Sequence, residues 1–401
     1  MHPVSLVLVG IGGMGGVYVE ELLGKNGDGS FRLAGLVDPE PRRCRRLTDL
    51  TERGLPVFTR LEEFYGSGRA ADLAVISSPH QFHARQTILA LEKGSLVLCE
   101  KPVAGTVREA KAMAEAERRT GRWAAIAYQW SFSDAVQAAK ADILAGVYGR
   151  PVRARCLYTW PRDKAYYGRN HWAGRARLDD GAWIFDGPAN NAMAHDLHNM
   201  LYLLGRDVRA SAVPVRIQAE LYRANPIENC DTAAARIDLE DGTPVLFWFS
   251  HAARLDRGPR LRLEFEKGVV TAERRGGSLR GETAGGDVRD YGNPDATPMK
   301  KLWDAIGAAA SGTVPVCCVQ AASAQTLAIN GMQASAGEIG VFPDDLRRES
   351  PHGDSTLIWV EGLDEALEEG FETSRLPSEI GRFPWARPGE PIDLRNFDAF
   401  V

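Results

Sequence analysis

The chain has 401 residues, 44% hydrophobic and 25% charged, enough for two or three domains around a large apolar core. Its 48 basic against 53 acidic residues give a net charge of −5, which argues against a nucleic-acid partner, and no stretch has the apolar length of a membrane span. Six cysteines at 44, 99, 156, 230, 317 and 318 show neither C-x-x-C pairing nor metal-finger spacing, and the first residues read as a strand instead of a charged signal peptide. Reduced thiols, no metal site and a cytoplasmic location are therefore expected.

Leu6–Val9 is a short, unalternating apolar run, the pattern of a strand buried on both faces, and it leads into GIGGMGG. Gly10, Gly12 and Gly15 give the G-x-G-x-x-G spacing, with Gly13 and Met14 inside it. The first glycine serves a tight turn, the second the approach of backbone to a pyrophosphate, and the third the packing of the following helix, Met14 to Leu23, whose positive end suits phosphate. A second strand, Leu33–Val37, ends in Asp38, twenty-three residues after Gly15, where a carboxylate accepts hydrogen bonds from an adenosine ribose. Arg42, Arg43, Arg45 and Arg46, on a helix from Pro41, offer a 2′-phosphate clamp, but Asp38 stands where that phosphate would go. NAD is preferred, with NADP as the alternative.

Strand and helix then alternate to about Tyr128. A strand near Val57, a brief helix at Leu61–Phe64 and a strand Leu73–Ile76 lead to Ser77-Ser78-Pro79-His80 and a helix carrying His83. A strand Leu96–Leu98 leads to Cys99-Glu100-Lys101-Pro102, a helix that Thr106 caps and that runs to Arg119, and a strand Trp123–Ala127. The fold class is α/β, with a Rossmann doubly wound parallel sheet over residues 1–128. Ser77, Ser78 and Pro79 fall at the carboxyl edge of the sheet, where cofactors bind. His83 reads first as a hydrogen-bonded helix residue and second as a cofactor neighbour. Lys101 sits at the carboxyl end of a central strand, beside the expected nicotinamide, and needs an anion or hydroxyl partner if buried.

The array GIGGMG, Asp38, the Pro79 to His83 strand exit and VLCEKPVAGTVREA resembles the glucose–fructose oxidoreductase, inositol dehydrogenase and rhizopine-catabolism family of NAD(P)-dependent oxidoreductases, closely over the N-terminal third and more loosely beyond. With that resemblance the cofactor candidates are Gly10, Gly12, Gly13, Met14, Gly15, Asp38, Ser77, Ser78, Pro79, His83, Glu100 and Lys101.

Beyond Tyr128 the pattern changes. A helix Asp134–Leu144 precedes an alternating strand, Pro151–Trp160, and further strands are expected near Val215–Leu221, Ala233–Leu239, Val245–Ser250, Leu261–Phe265 and Val269–Ala272. Asp241-Gly242 and Lys267-Gly268 mark hairpins. Residues 129–340 thus form an α+β domain with an open, mainly antiparallel sheet and helices at Met299–Ala310 and Ala321–Ala336. Its exposed face is expected to pair with another subunit in a homodimer or homotetramer, as the resemblance also implies. Residues 341–401, with one acidic helix near Leu363–Gly370, form a peripheral segment packed on the rest.

Asp186 and Gly187 give a cap signal and Pro188 a first turn, so a helix is expected from Pro188 to Leu204, stacking Asn191 and His195 on one face. In the family this helix carries an aspartate and, four residues on, a histidine that works with the E-K-P lysine. His195 matches the histidine. Asn191 stands where the aspartate is usual, and an asparagine orients a hydroxyl without carrying a proton. The expected catalytic pair is His195, taking the hydroxyl proton, and Lys101, hydrogen-bonding the same oxygen. The H-x-x-H of His195 and His198 lacks a third ligand for a metal.

The loop ahead is rich in Arg162, Tyr166, Tyr167, Arg169, Asn170, His171, Trp172 and Arg175, which suits a polyhydroxylated or acidic small molecule. Substrate candidates are Asn191, Arg169, His171 and Trp172, with Tyr128 and Trp130 from the domain junction. The expected function is hydride transfer between nicotinamide and a hydroxyl or carbonyl carbon of a sugar, cyclitol or related substrate. The alternatives are an NAD-dependent glycosidase using transient oxidation and a non-catalytic dinucleotide-sensing regulator.

Overall fold

The computed structural model of the chain describes residues 2–25 and 29–400. Two compact units emerge. One comprises the chain through Ala104 together with Arg108–Ser133 and Thr297–Ser323; the other comprises Gly105–Val107, Asp134–Ala296 and Ala324 onward.

The first unit is built on six parallel strands, β1 (Val4–Val9), β2 (Phe31–Val37), β3 (Val57–Phe58), β4 (Leu73–Ile76), β5 (Leu96–Cys99) and β6 (Ala124–Ile126), in the order β3-β2-β1-β4-β5-β6. Every residue of β1 and β4 is buried, which explains why neither run alternates in sequence. The order in which strands are added reverses between β1 and β4, so their carboxyl ends frame the crevice in which such sheets bind ligands. The helix expected from Pro41 is shorter: a single 3₁₀ turn over Pro41–Arg43, then Leu47–Glu52. The helix Lys300–Ser311 belongs to this unit too, because its Trp303 indole donates to Glu21 at 2.7 Å and its Lys301 pairs with Glu100. That grouping cuts across a boundary drawn at residues 129 and 340, since the attachment is made by side chains and leaves no mark in the local pattern.

The second unit carries a ten-stranded sheet. Its path is β14-β13-β12-β11-β7-β10-β9-β8-β15, with β18 (Ile392–Asp393) also on β8. Here β7 is Pro151–Thr159, β8 Pro214–Arg223, β9 Thr232–Leu239, β10 Pro244–Ser250, β11 Arg257–Phe265 and β12 Gly268–Ala272, close to the expected spans. The strands β13 (Leu279–Thr283) and β14 (Val288–Gly292) and the short β15 (Gly340–Val341) were not foreseen; β14 is mostly exposed and has no buried face to create a period. The sheet is mixed: β10 runs parallel to β7 and antiparallel to β9.

Side chains alternate across this sheet. Cys156 and Tyr158 face the side occupied by the helix Ala194–Leu203, within electrostatic reach of its Asp196. Leu157, Tyr222, Ala234, Leu246 and Trp248 face the other side, where they pack with Phe342, Ile358, Val360, Leu363, Leu367, Phe371 and Trp385 of the C-terminal segment. That segment holds an unforeseen hairpin, β16 (Arg347–His352) with β17 (Ser355–Val360), then the helix Leu363–Thr373. Arg155 donates to the carbonyl of Phe371 and pairs with Glu264, and Arg260 pairs with Glu368, so polar contacts ring the apolar patch. Over these strands, that face of the sheet is covered by residues 342–385 of the chain itself.

Because Leu367 is fully buried in this cluster, Leu367→Ala should cost about 2–5 kcal/mol of unfolding free energy in a denaturant titration. A loss below about 1 kcal/mol would show that the segment is only loosely laid on the sheet.

Candidate functional site

Glycine is required twice in the turn after β1. Gly10 has φ of +79°, and a Cβ there would lie 2.8 Å from the Ser77 carbonyl carbon; a Cβ on Gly15 would lie 2.0 Å from the Gly10 carbonyl oxygen. The turn, the helix Met14–Gly24 and the exit of β4 thus close on one another at backbone contact. Ser77 reinforces the closure, its hydroxyl donating to the Gly10 carbonyl at 2.7 Å. At Gly13, the residue capping that helix, φ is +51° and a Cβ would meet nothing within 4 Å, so the turn opens outward at the helix N-terminus where a side chain would otherwise stand. This is a cradle of the form that a dinucleotide pyrophosphate fills.

Asp38 follows β2 directly, beside this turn. One carboxylate oxygen accepts the Ile11 N–H at 2.8 Å and the other accepts the Glu40 N–H at 2.7 Å, which fixes the group while leaving lone pairs for ribose hydroxyls. Of the four nearby arginines, Arg43 is paired with Glu40 at 2.6 Å, and Arg46 with Glu20 at 2.6 Å and with Asp49. The donor set fits NAD.

Other cofactor candidates make bracing contacts within the chain. The His83 ring, 1% exposed, faces the Pro102 carbonyl at 2.8 Å from Nδ1 and the Ser78 carbonyl at 2.9 Å from Nε2, and burial holds its pKa below the usual imidazole range. It joins the loops that follow β4 and β5. The Ser78 hydroxyl donates to Gln86 at 2.5 Å. Glu100 is buried and accepts from the Tyr18 hydroxyl at 2.6 Å, from the Lys301 ammonium and from the Lys101 N–H at 3.2 Å. Burial pushes its carboxyl up, but the Lys301 ammonium, the Tyr18 hydroxyl and the Lys101 charge outweigh that and hold it low. Glu100 therefore anchors the backbone from which Lys101 projects. Tyr18 and Lys301 escaped the sequence reading because nothing local links positions 18, 100 and 301. Tyr128 and Trp130 are both buried, at 0% and 9% exposure, and read as core residues of the first unit more than as a substrate surface.

The second unit carries the other candidates. The expected helix from Pro188 is broken: Asn191 N–H bonds to the Gly187 carbonyl, Met193 N–H reaches back to Pro188, and a regular helix begins only at Ala194. Asn191 therefore lies in the turn before the helix, and His195 is its second residue. A strained residue precedes them, Phe185 with φ of +47°. The next residue, Asp186, is 2% exposed; its Oδ2 accepts the Gly174 N–H at 2.6 Å and its Oδ1 accepts from Asn191 Nδ2 at 2.9 Å. Read from sequence only as a cap, Asp186 is the group that orients Asn191. It also accounts for the asparagine: a carboxylate at 191 would face the buried Asp186 carboxylate with no proton between them.

A cationic and aromatic cluster adjoins this pair. Because β7 and β10 run parallel, their carboxyl ends deliver Trp160 and His251 side by side, joined where the Trp160 N–H donates to Ser250 and the Arg162 N–H to His251. His251 donates from Nδ1 to the Trp160 carbonyl at 2.8 Å, and burial pushes its pKa down to about 3, so the ring is neutral. The Arg162 guanidinium lies over Trp160 at 3.7 Å and Tyr166 at 4.6 Å, and that of Arg169 over Tyr166 at 3.7 Å and Trp172 at 4.9 Å. The Tyr166 hydroxyl is 3.5 Å from Asn191 Nδ2. Arg169 and Trp172 thus join Asn191 around Tyr166. His171 does not: it is exposed and within electrostatic reach of Asp179. Arg175 is taken up by Asp179 and Glu228.

Asp196 is buried beside His195, and burial, then the Asp295 charge, push its carboxyl well above the usual range. His198 is buried against Tyr202, with its pKa lowered by burial to about 3. Among the described residues no group of three or more His, Cys, Asp or Glu is arranged to hold a metal, and no helix is long and apolar enough to cross a membrane.

Comparison with known proteins agrees with the class these features define, an oxidoreductase with a dinucleotide-binding domain. Residues 4–128 match the model of an oxidoreductase family with an NAD-binding Rossmann fold, and residues 136–271 match the GFO/IDH/MocA C-terminal domain. The chain belongs to this GFO/IDH/MocA family. An inositol 2-dehydrogenase of Rubrobacter xylanophilus is 32% identical over 212 residues, 51% of this chain and 53% of that enzyme, so the match spans about half of the relative's length. Two solved structures share the fold at a TM-score of 0.67: an oxidoreductase of Agrobacterium radiobacter in complex with NAD+, L-tartaric acid and magnesium (17% identity, 84% of this chain, 96% of that one), and the WlbA dehydrogenase of Bordetella pertussis in complex with NADH and UDP-GlcNAcA (20%, 84% and 97%).

The Asp186 and Asn191 pair yields a direct test. Asn191→Asp alone should destabilise the protein by about 1–3 kcal/mol in chemical unfolding, and the exchange Asp186→Asn with Asn191→Asp should recover most of that loss. Equal stability of the single variant and the wild type would contradict the assigned contact.

Proposed function

We propose that the protein is an NAD-dependent dehydrogenase or reductase acting on a CH–OH carbon of a sugar, cyclitol or related polyhydroxylated molecule. The observation that carries this reading is the glycine turn closed on β4, with Asp38 fixed beside it: a cradle for a dinucleotide with a carboxylate for its ribose. The pairing of Arg43 and Arg46 with acidic neighbours favours NAD over NADP. All six cysteines are unpaired, which supports operation in the cytoplasm.

NAD, when bound, supplies the hydride acceptor or donor. The chain's part is to hold the hydroxyl and manage its proton. His195, at the start of its helix, takes the proton from the hydroxyl, and Lys101 donates a hydrogen bond to the same oxygen and favours its alkoxide character. Glu100, fixed by Tyr18 and Lys301, sets the backbone position of Lys101, while Asn191, held by Asp186, orients the substrate. An uncharged residue at 191 leaves the proton to the histidine.

Lys101→Met and His195→Asn should each lower kcat about 10²- to 10⁴-fold for whichever member of a panel including myo-inositol, glucose and gluconate reduces NAD+. Calorimetric titration should show the affinity of His195→Asn for NAD+ unchanged. Near wild-type turnover in both variants would overturn the assignment.

A further inference from the structure

Cationic side chains gather on the aromatic rings of the loop between β7 and the helix Ala194–Leu203. Three guanidiniums converge there: Arg162 and Arg275 on Trp160, at 3.7 and 4.3 Å, and Arg162 and Arg169 on Tyr166. Arg275 has Asp256 at 3.8 Å, and Arg169 has Asp186 at 3.7 Å. Arg162 pairs with no carboxylate among the described residues, and its Nε is buried with no hydrogen-bond partner. Burial, together with the Arg169 and Arg275 charges, works against its ionised form. A guanidinium kept charged at that cost is strongly favoured by an incoming anion.

Resting on the dehydrogenase reading above, we propose that the substrate is a hydroxy acid, a sugar acid or a close relative, whose carboxylate is received by Arg162 and Arg169. The scale is right for one small molecule: Tyr166 has Arg162 over its ring and its hydroxyl 3.5 Å from Asn191, so anion site and hydroxyl-orienting site are one aromatic ring apart. The single unmatched guanidinium calls for a single negative charge, which favours a carboxylate over a phosphate dianion. The aromatic rings of Trp160, Tyr166 and Trp172 give the carbon skeleton apolar faces to lie on.

The test is calorimetric binding to the full chain saturated with NAD+, using matched pairs: D-glucuronate against D-glucose, and D-gluconate against D-sorbitol, with glucose 6-phosphate as the phosphate arm. The acids should bind at least 10-fold tighter than their neutral partners. Arg162→Gln should remove about 10- to 100-fold of acid affinity while leaving neutral affinity within a factor of two. Retained NAD+ affinity and melting temperature would certify that variant's fold. The proposal is overturned if neutral partners or glucose 6-phosphate bind as tightly as the acids, or if Arg162→Gln weakens both members of a pair equally. Because binding is read without turnover, acids that bind preferentially yet never reduce NAD+ would uphold the anion site and refute the dehydrogenase reading.

Discussion

The contact on which the first unit depends is the one between the backbone at position 15 and the carbonyl of Gly10, so close that a methyl group there would sit 2.0 Å from the oxygen. That approach lets a helix N-terminus follow the central strand directly, and it opens the turn at Gly13 outward. Asp38 and Ser77 then tie the neighbouring strand exits to the same turn through Ile11 and Gly10. Remove the closeness and the outward-opening turn, the fixing of the Asp38 carboxylate and the placing of the β4 exit are lost together.

Charge is handled differently in the two units. In the first, a buried glutamate is compensated by a lysine from a distant helix and a tyrosine hydroxyl, so Glu100 stays ionised and rigid; losing Lys301 would leave a buried charge without its counterion, a cost of about 3–5 kcal/mol for broken pairs of this kind. In the second, Asp186 receives the amide of Asn191, and arginines crowd onto aromatic faces with one of them lacking a carboxylate partner among the described residues. The first arrangement fixes a backbone. The second leaves electrostatic capacity for a ligand.

The sequence made the parallel sheet legible because β1 and β4 are buried on both faces and their runs are bounded by glycine, serine and acid turns. Asp38 was legible for the same reason, as the residue at which a buried run stops. The helix through Asn191 was misjudged because Asp186, Gly187 and Pro188 do begin a helical turn, but the chain takes a wider turn to Met193 before regular winding starts. The roles of Tyr18, Lys301 and His251 were invisible, since each depends on strands or helices far apart in sequence. So did the covering of the sheet by residues 342–385, whose short hairpin and single helix look peripheral until their apolar side chains are seen against Leu157 and Trp248.

The proposed reaction requires a hydride to leave a carbinol carbon for nicotinamide. The most direct measurement mixes the protein and NAD+ with uniformly C-deuterated glucuronate and, separately, uniformly C-deuterated myo-inositol, and weighs the recovered nucleotide by mass spectrometry. Hydride transfer would yield NADH one mass unit heavy, with the deuterium at nicotinamide C4 and the oxidised product formed in equal amount. NAD+ recovered unchanged from both mixtures, with binding of the nucleotide demonstrated, would contradict it.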